Sequence, residues 1–497
     1  MDLWQSIPLL LVILPLVSAC LCPALPRRGA QVFCGGILAL SCLAATIFMP
    51  AITSLGASYT YSMGHFPAPW GNELRAGPLE SRMSWFFMLV LLLTFLGGLR
   101  CLNHDIPEKK TSVFCATLLL IASGLNAQVY TNDLFTAYVF LEITTLAAVS
   151  QIASRPGGRP LLSSARYMIM NMVGSSLFLL GVILLYDLTG HLLMSPIQQS
   201  VSALVESGQY HTPLTLVVAL ITVGLGIKSA LFPFHAWVSD SYSQGTPMGS
   251  AIMAALVSKG YLFLMLKVIY RVIGRENFAA TGVDTVLFIF ALLGMVLGSI
   301  LAIRQTDLRR MVAYSSVAQI GYIYMGLSLN TDAGMMAAVF HMIAHAVCKS
   351  MLFLTCDGLI AVSPSSRLRD LEGSGFRAPL TGAAFTVGAL SMVGFPFLGG
   401  FSSKVNFALS AVDLQDPRTF LVLAVLVIST WLHTLYFLRA VITIYRRSPE
   451  DTVSKGHLHR GFCYSLSLVM LILLNVTLGV MSQPLINVLR SGLTLFG

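Results

Sequence analysis

Charged side chains are scarce in this chain: Asp, Glu, Lys and Arg make up 10% of its 497 residues, while 56% are hydrophobic. A soluble domain carries about 25% charge, so a solvated exterior is excluded and an integral membrane protein is implied. The longest polar loops, 50–82, 187–212 and 361–379, are too small to be separate soluble domains, so 1–497 reads as a single polytopic membrane domain. Cysteine is present but unpatterned. Nine cysteines fit neither a zinc nor a disulfide spacing, and all but Cys101 fall in apolar runs, where they act as small core hydrophobes. Redox motifs are missing as well: there is no cysteine cluster, haem motif, dinucleotide fingerprint or P-loop. The expectation is therefore no cofactor, no metal and no catalytic residue in the enzymatic sense. Membership of an oxidoreductase complex stays open, with the redox centres on other chains. A cleavable signal pattern is also lacking, since the first apolar run, from about Ile7 to Leu21, has no basic region before it and reads as the first span.

Apolar runs long enough for a hydrocarbon core of about 30 Å fall at 5–25, 31–49, 83–99, 112–130, 133–153, 165–186, 213–238, 247–270, 283–303, 308–329, 333–359, 380–411, 418–445 and 461–481. That predicts an all-α protein of about fourteen transmembrane helices. The basic excess, 30 Lys and Arg against 21 Asp and Glu, is then a statement about topology and not about a nucleic acid partner. Eighteen positives, among them Arg27, Arg155, Arg159, Arg309, Arg310, Arg446, Arg447, Lys455 and Arg460, collect on one side, and six (Arg75, Arg82, Arg271, Arg275, Arg418, Arg490) on the other. The rich side is expected to be cytoplasmic in a cell inner (plasma) membrane, with both termini outside the cytoplasm. Six positives remain inside spans: Lys228, Lys259, Lys267, Lys349, Lys404 and Arg439.

Phe232-Pro-Phe234 in the seventh span recurs as Phe395-Pro-Phe397 in the twelfth. Both spans are too long for one straight perpendicular helix, and proline removes a ladder hydrogen bond. The offset of five spans inverts orientation. The reading is two inverted five-helix repeats, one within 82–270 and one over 283–445, each with a broken helix, followed by a final helix at 461–481.

A lysine at mid-depth costs roughly 2.5 to 3.5 kcal/mol on insertion scales and faces a partner or a wet cavity. Lys228 lies in an apolar run just before the first break; the plainer alternative is a lysine snorkelling to the headgroups. Lys259 sits halfway along the eighth span and has no such route. Glu142 is the one carboxylate near the middle of a span, able to ionise beside a lysine. His341, His345 and Lys349 lie at i, i+4 and i+8 on one helical face. Two histidines at that spacing could ligate a metal, but the zincin pattern is absent, and a row of protonatable groups suits a proton relay better. Lys404 follows the second break, while Lys267, near Arg271 at the outer end of the eighth span, reads as an interface anchor.

The blocks FPFHAWVSDSYSQGTPMGSAIMAALVSKGY, LRRMVAYSSVAQIGYIYMGL, HMIAHAVCKSMLFL and GFSSK resemble those of the proton-conducting antiporter-like subunits shared by Mrp-type sodium/proton antiporters, membrane-bound hydrogenases and respiratory complex I. The resemblance covers about residues 80 to 445. The early segment HFPAPWGNELRAGPLESRMSWFFML and the block YMIMNMVGSSLFLLGVILLYDLTGHLLM look most like the D-type component of the Mrp antiporters, whereas Ser-Ser-Lys404 is closer to hydrogenase-associated members. The resemblance implies a proton-translocating subunit of a multisubunit membrane complex, with an Mrp cation/proton antiporter as the first expectation and a hydrogenase or a complex I-like NADH/quinone oxidoreductase as the alternative. It implies Glu142 and Lys228 as an ion pair, Lys259 as the central lysine, His341, His345 and Lys349 as a relay and Lys404 as the terminal lysine. The implied partners are other membrane subunits, homologous antiporter-like ones included, together with the lipid bilayer and protons, and sodium in the antiporter reading.

Overall fold

The computed structural model describes residues 3–66, 71–208, 210–414, 416–446 and 461–496. Arg447, Lys455 and Arg460 of the charge count, and residues 67–70 of the early segment, lie outside them. Backbone polar groups within hydrocarbon must be satisfied inside their own segment, and the described residues accordingly form mostly helices, with one small hairpin, short single-turn helices and connecting turns. In chain order the main elements are α1 (Ile7–Leu21), α2 (Arg27–Leu55), β1 (Tyr59–Ser62) paired antiparallel with β2 (Glu73–Ala76), α3 (Pro78–Asp105), α4 (Glu108–Tyr130), α5 (Leu134–Ala153), α6 (Gly158–Thr189) and α7 (Met194–Ser207). They continue as α8 (His211–Ser229), α9 (Ala236–Gln244), α10 (Pro247–Ile273), α11 (Val283–Ile303), α12 (Leu308–Ser328), α13 (Asp332–Ile360), α14 (Pro379–Val393), α15 (Gly399–Val412), α16 (Arg418–Tyr445), α17 (Phe462–Val480) and α18 (Ser482–Thr494).

Twelve of these helices are long and apolar enough to cross a membrane, so the chain is a multi-pass integral membrane protein. The two further expected spans take other forms. Helix α12 is long enough but carries Tyr, Ser and Gln along its length, and it is buried almost throughout. The twelfth span is the pair α14 and α15, each half too short to cross alone. One expected loop contains a helix: α7 buries Met194, Ile197 and Val201 on one face and is too short to span.

Both breaks fall where the repeated Phe-Pro-Phe stands. Helix α8 ends on Ala230 in the left-handed region (φ 68°), and α14 on Gly394 (φ 94°). The two ends then make the same reverse-turn cap, Leu231 N–H donating to the Gly226 carbonyl at 2.9 Å and Phe395 N–H to the Leu390 carbonyl at 2.9 Å. Each break is held from the far side. Trp237 Nε1 reaches back to the Ile227 carbonyl (3.2 Å), and Asn475 of α17 accepts from Gly399 N–H (3.4 Å).

Helices α10 and α13 are enclosed on all sides by the others, their apolar windows wholly buried. They form the axis of the molecule. Helix α10 is not a regular α-helix: it widens into π segments at Met253–Val257 and Val268–Ile273, a deviation found mostly at functional sites.

The second break depends on backbone contact, because a Cβ on Gly400 would lie 1.8 Å from the Ser391 carbonyl oxygen, whereas one on Gly36 in α2 would meet nothing within 4 Å. Gly400→Ala is expected to destabilise the protein by about 1–3 kcal/mol. Gly36→Ala should be neutral or stabilising by up to about 1 kcal/mol. Thermal unfolding midpoints of the purified protein check this; equal midpoints for the two variants would show that the α14–α15 contact does not hold the break.

Candidate functional site

The residues singled out in the sequence converge on the enclosed axis and on its two flanks. Helix α5, capped by Asp133 accepting from Thr136 N–H at 2.6 Å, carries Glu142 outward. Lys228, in the last turn of α8, places Nζ 3.2 Å from Glu142 Oε1 and 2.7 Å from Thr145 Oγ1. Ser175 of α6 donates to the same carboxylate oxygen. Lys228 is fully buried, but the Glu142 side chain is 24% exposed, so this end of the series opens on the flank of the bundle. Tyr261 of α10 closes the pair from inside, its hydroxyl 3.1 Å from Thr145 Oγ1 and its ring 5.4 Å from Lys228 Nζ.

Lys259 stands just past the first π segment of α10. Its Nζ donates to the Ala254 carbonyl (2.5 Å) inside that segment and to Ser258 Oγ (3.2 Å). On α13, Lys349 donates to the Val312 carbonyl (2.7 Å) and to Ser315 Oγ (2.6 Å), both on α12. His341 and His345 stack with ring centroids 5.7 Å apart and planes 9° apart. Their surroundings differ: His341 Nδ1 is 2.7 Å from Ser403 Oγ, while both ring nitrogens of His345 are buried without a hydrogen-bond partner among the described residues. Lys404 lies at the other flank, partly exposed. It reaches back across the second break to the Val393 carbonyl (2.7 Å) and sideways to Thr430 Oγ1 (3.0 Å).

Lys404 thus uses the carbonyl end of a broken half-helix, the negative pole of its dipole, by folding back onto the last residue of α14. Lys228 belongs to the last turn of α8, but its ammonium is held by Glu142 and Thr145 of α5. Among the described residues no group of three or more His, Cys, Asp or Glu is placed to hold a metal ion.

The family model described as NADH:quinone oxidoreductase/Mrp antiporter, TM, matches residues 131–433, a stretch that contains every residue of this series. The chain belongs to that family. The N subunit of the NADH-quinone oxidoreductase of Desulforudis audaxviator is 35% identical over 448 residues, covering 88% of this chain and 86% of that protein. The D component of the Na(+)/H(+) antiporter of Bacillus subtilis is 26% identical over 471 residues, covering 94% and 93%. Among solved structures, a chain of the membrane-bound sulfane sulfur reductase, an archaeal respiratory membrane complex, superposes with a TM-score of 0.87 at 27% identity, covering 99% of this chain and 98% of that one. A chain of the Mrp complex from Dietzia shares the fold with a TM-score of 0.87 at 21% identity, covering 99% and 97%.

Within this antiporter-family site the sequence reading missed His433, Gln319, Tyr322 and Ser403. His433 of α16 is fully buried, with Nε2 3.1 Å from Gln319 Nε2 and its ring 5.9 Å from that of Tyr322, which also stacks on His341 at 5.5 Å and lies 5.7 Å from Lys404 Nζ. Tyr322 therefore sits between the α13 histidines and the terminal lysine. A histidine inside an apolar span was the available signal for His433; nothing in the sequence marks the other three.

Lys267 is not an interface anchor. It is fully buried and caps the end of α4, donating to the carbonyls of Gln128 (3.1 Å), Val129 (2.6 Å) and Thr131 (2.6 Å). Beside it Arg271 pairs with Glu80 at 3.5 Å, both buried, and donates to Asn132. Removing one partner of such a pair leaves a buried charge uncompensated, at a cost of about 3–5 kcal/mol. Arg271→Met is expected to lose folded protein on that scale, and Arg271→Met with Glu80→Gln to recover part of it. The yield and thermal midpoint of the membrane-extracted protein measure both; a single variant as stable as wild type would show the pair to be solvated.

Proposed function

We propose that this chain moves protons along the series Glu142, Lys228, Lys259, His341, His345, Lys349 and Lys404, as one subunit of a multisubunit complex in the cell inner (plasma) membrane. The observation that carries this reading is the arrangement of the series: protonatable groups on five helices, enclosed along the axis and partly exposed only at the two flanks. Buried polar atoms normally have partners. His345 Nδ1 and Nε2, His341 Nε2, His433 Nδ1 and the hydroxyls of Tyr322, Tyr436 and Ser316 have none among the described residues. Internal water suits such atoms and would complete a proton wire between groups too far apart to bond directly.

Glu142 and Lys228 act as the switch in this reading. Close together, each favours the charged form of the other; apart, the ammonium in α8 loses its compensation and passes its proton inward. The break between α8 and α9 is the hinge. The chain is one membrane domain with two inverted five-helix repeats, one within 82–270 and one over 283–445, and 461–481 as a closing helix. Its Arg-rich side faces the cytoplasm and both termini lie outside. Protons are the transported ion, and sodium is exchanged for them if the parent complex is a cation antiporter. Support for the parent complex is divided: the early segments favour the D-type component of an Mrp antiporter, while the 35% identity to an NADH-quinone oxidoreductase N subunit favours a complex I-like assembly. The set of subunits that purifies with the chain decides between them.

Proton movement by the assembled complex in inside-out vesicles tests the mechanism. Lys228→Ala and Lys404→Ala are expected to lower it to near background, and Glu142→Gln to impair it, with insertion and assembly unchanged. Lys228→Arg should also fail, because guanidinium keeps its proton. Wild-type rates in Lys228→Arg would show that a fixed charge suffices and would remove the switch. The chain expressed alone should give no sodium-dependent or substrate-dependent proton movement; robust exchange by the isolated chain would contradict the subunit reading.

A further inference from the structure

On the Arg-rich side, where the loop after α5 meets the end of α9 and the start of α12, there is a cavity of about 540 Å³ unconnected with the series above. Arg155, Arg159, Arg309 and Arg310 line it against a single carboxylate, Asp307. That carboxylate is already engaged: one oxygen accepts from Arg310 N–H at 3.0 Å and the other from the Ser366 hydroxyl. Two of the guanidiniums have acidic partners, Arg309 with Asp357 at 2.7 Å and Arg310 with Asp240 at 3.3 Å. Arg155 donates to the carbonyls of Gln244 and Gly245. Arg159 is exposed and has no ion pair or side-chain hydrogen bond among the described residues.

Orientation in the membrane requires positive charge on one side; it does not require four guanidiniums to converge on one cavity. With Asp307, Asp357 and Asp240 set against the four guanidiniums, the local balance stays positive and favours an anion there, and the planar fork of arginine matches phosphate oxygens in particular. What adjoins the cavity narrows the source of the phosphate. Leu161 and Leu162, directly after the arginine loop, are 64% and 54% exposed, and Ile169, Met172 and Val173 continue the exposed apolar surface along α6. A phosphate at the arginines and hydrocarbon beside α6 are the two ends of one molecule.

We infer that this cavity binds the headgroup of an anionic phospholipid from the leaflet on the Arg-rich side. The site touches the broken helix directly at Ser243 and Gln244 and, through Arg310, at Asp240. Asp240 on α9 is held by Arg166 at 2.8 Å and by Arg310 at 3.3 Å, so a bound phosphate competes with Asp240 for Arg310. The binding claim does not rest on proton transfer, and its test reads binding alone.

Native mass spectrometry of the assembled complex, exchanged into detergent with phosphatidylglycerol or phosphatidylcholine, makes that test. Wild type should bind phosphatidylglycerol in preference. Arg159→Gln should weaken that binding about fivefold, the scale of one arginine at an anionic surface, and Arg159→Glu should weaken it further. Because Arg159 is exposed and makes no ion pair among the described residues, both variants should assemble normally, which the same spectra show. Equal binding by wild type and Arg159→Glu would overturn the inference, as would equal retention of phosphatidylcholine. Displacement of phosphatidylglycerol by inorganic phosphate alone would also overturn it, by making the site one for a soluble anion.

Discussion

An ammonium group in a slab of hydrocarbon has to be met by oxygen, and oxygen is what a regular helix withholds, its carbonyls being committed to the ladder. The irregular places in this bundle supply it to three of the lysines. Lys259 takes a carbonyl from the π segment of α10, Lys404 takes the last carbonyl of α14 where the helix stops, and Lys267 takes three from the end of α4. Lys349 differs in drawing on a carbonyl and a serine within the regular helix α12. For Lys259, Lys404 and Lys267, a widened turn, a break and a helix end are therefore what keeps the lysine inside the membrane.

Lys228 is the exception, and the difference bears on the proposed mechanism. A carbonyl accepts an N–H from a neutral amine as well as from an ammonium, so Lys259, Lys349 and Lys404 keep hydrogen-bond partners whether or not they hold a proton. A carboxylate does discriminate: Glu142 binds the charged form of Lys228 through Coulomb attraction that vanishes when the lysine is neutral. Among the described residues, only this position in the series thus has a partner able to control occupancy, and it stands next to the break between α8 and α9. Glu142 is also partly exposed, so a charge on a neighbouring surface could compete for it from outside the chain.

Much of this was legible in the sequence because it concerns cost. Buried charge, proline in a span and a repeated Phe-Pro-Phe are expensive or improbable, and each marked a real feature: Lys228 and Lys404 flank the two breaks, and Lys259, His341, His345 and Lys349 lie on the two enclosed helices. What stayed hidden is cheap locally. A π segment has no residue signature, since MAALV and VIYRVI read as ordinary helix. Gln319, Tyr322 and Ser403 are commonplace in a helix and acquire meaning only through what faces them. Lys267 was misjudged for a related reason: distance from the end of a span is visible in one dimension, while burial behind α4 is not. The hairpin and α7 fell in stretches read as loops because short elements carry little periodicity.

The two halves repeat a cap and invert a lysine. Leu231 and Phe395 close identical turns, yet Lys228 comes before its break and Lys404 after it. If position along the chain were what mattered, one of the two would be misplaced. The partners remove the difficulty: Lys228, in the last turn of α8, turns to Glu142 and Thr145 of α5, whereas Lys404 folds back across Gly394 to the last carbonyl of α14. The space for that fold comes from glycine, since a Cβ at Gly394 would lie 3.0 Å from Lys404 Cδ. In the first half, where the lysine does not cross the break, the corresponding cap position is held by Ala230 in the same left-handed conformation. The small residue at each cap is thus matched to whether a side chain must pass over it.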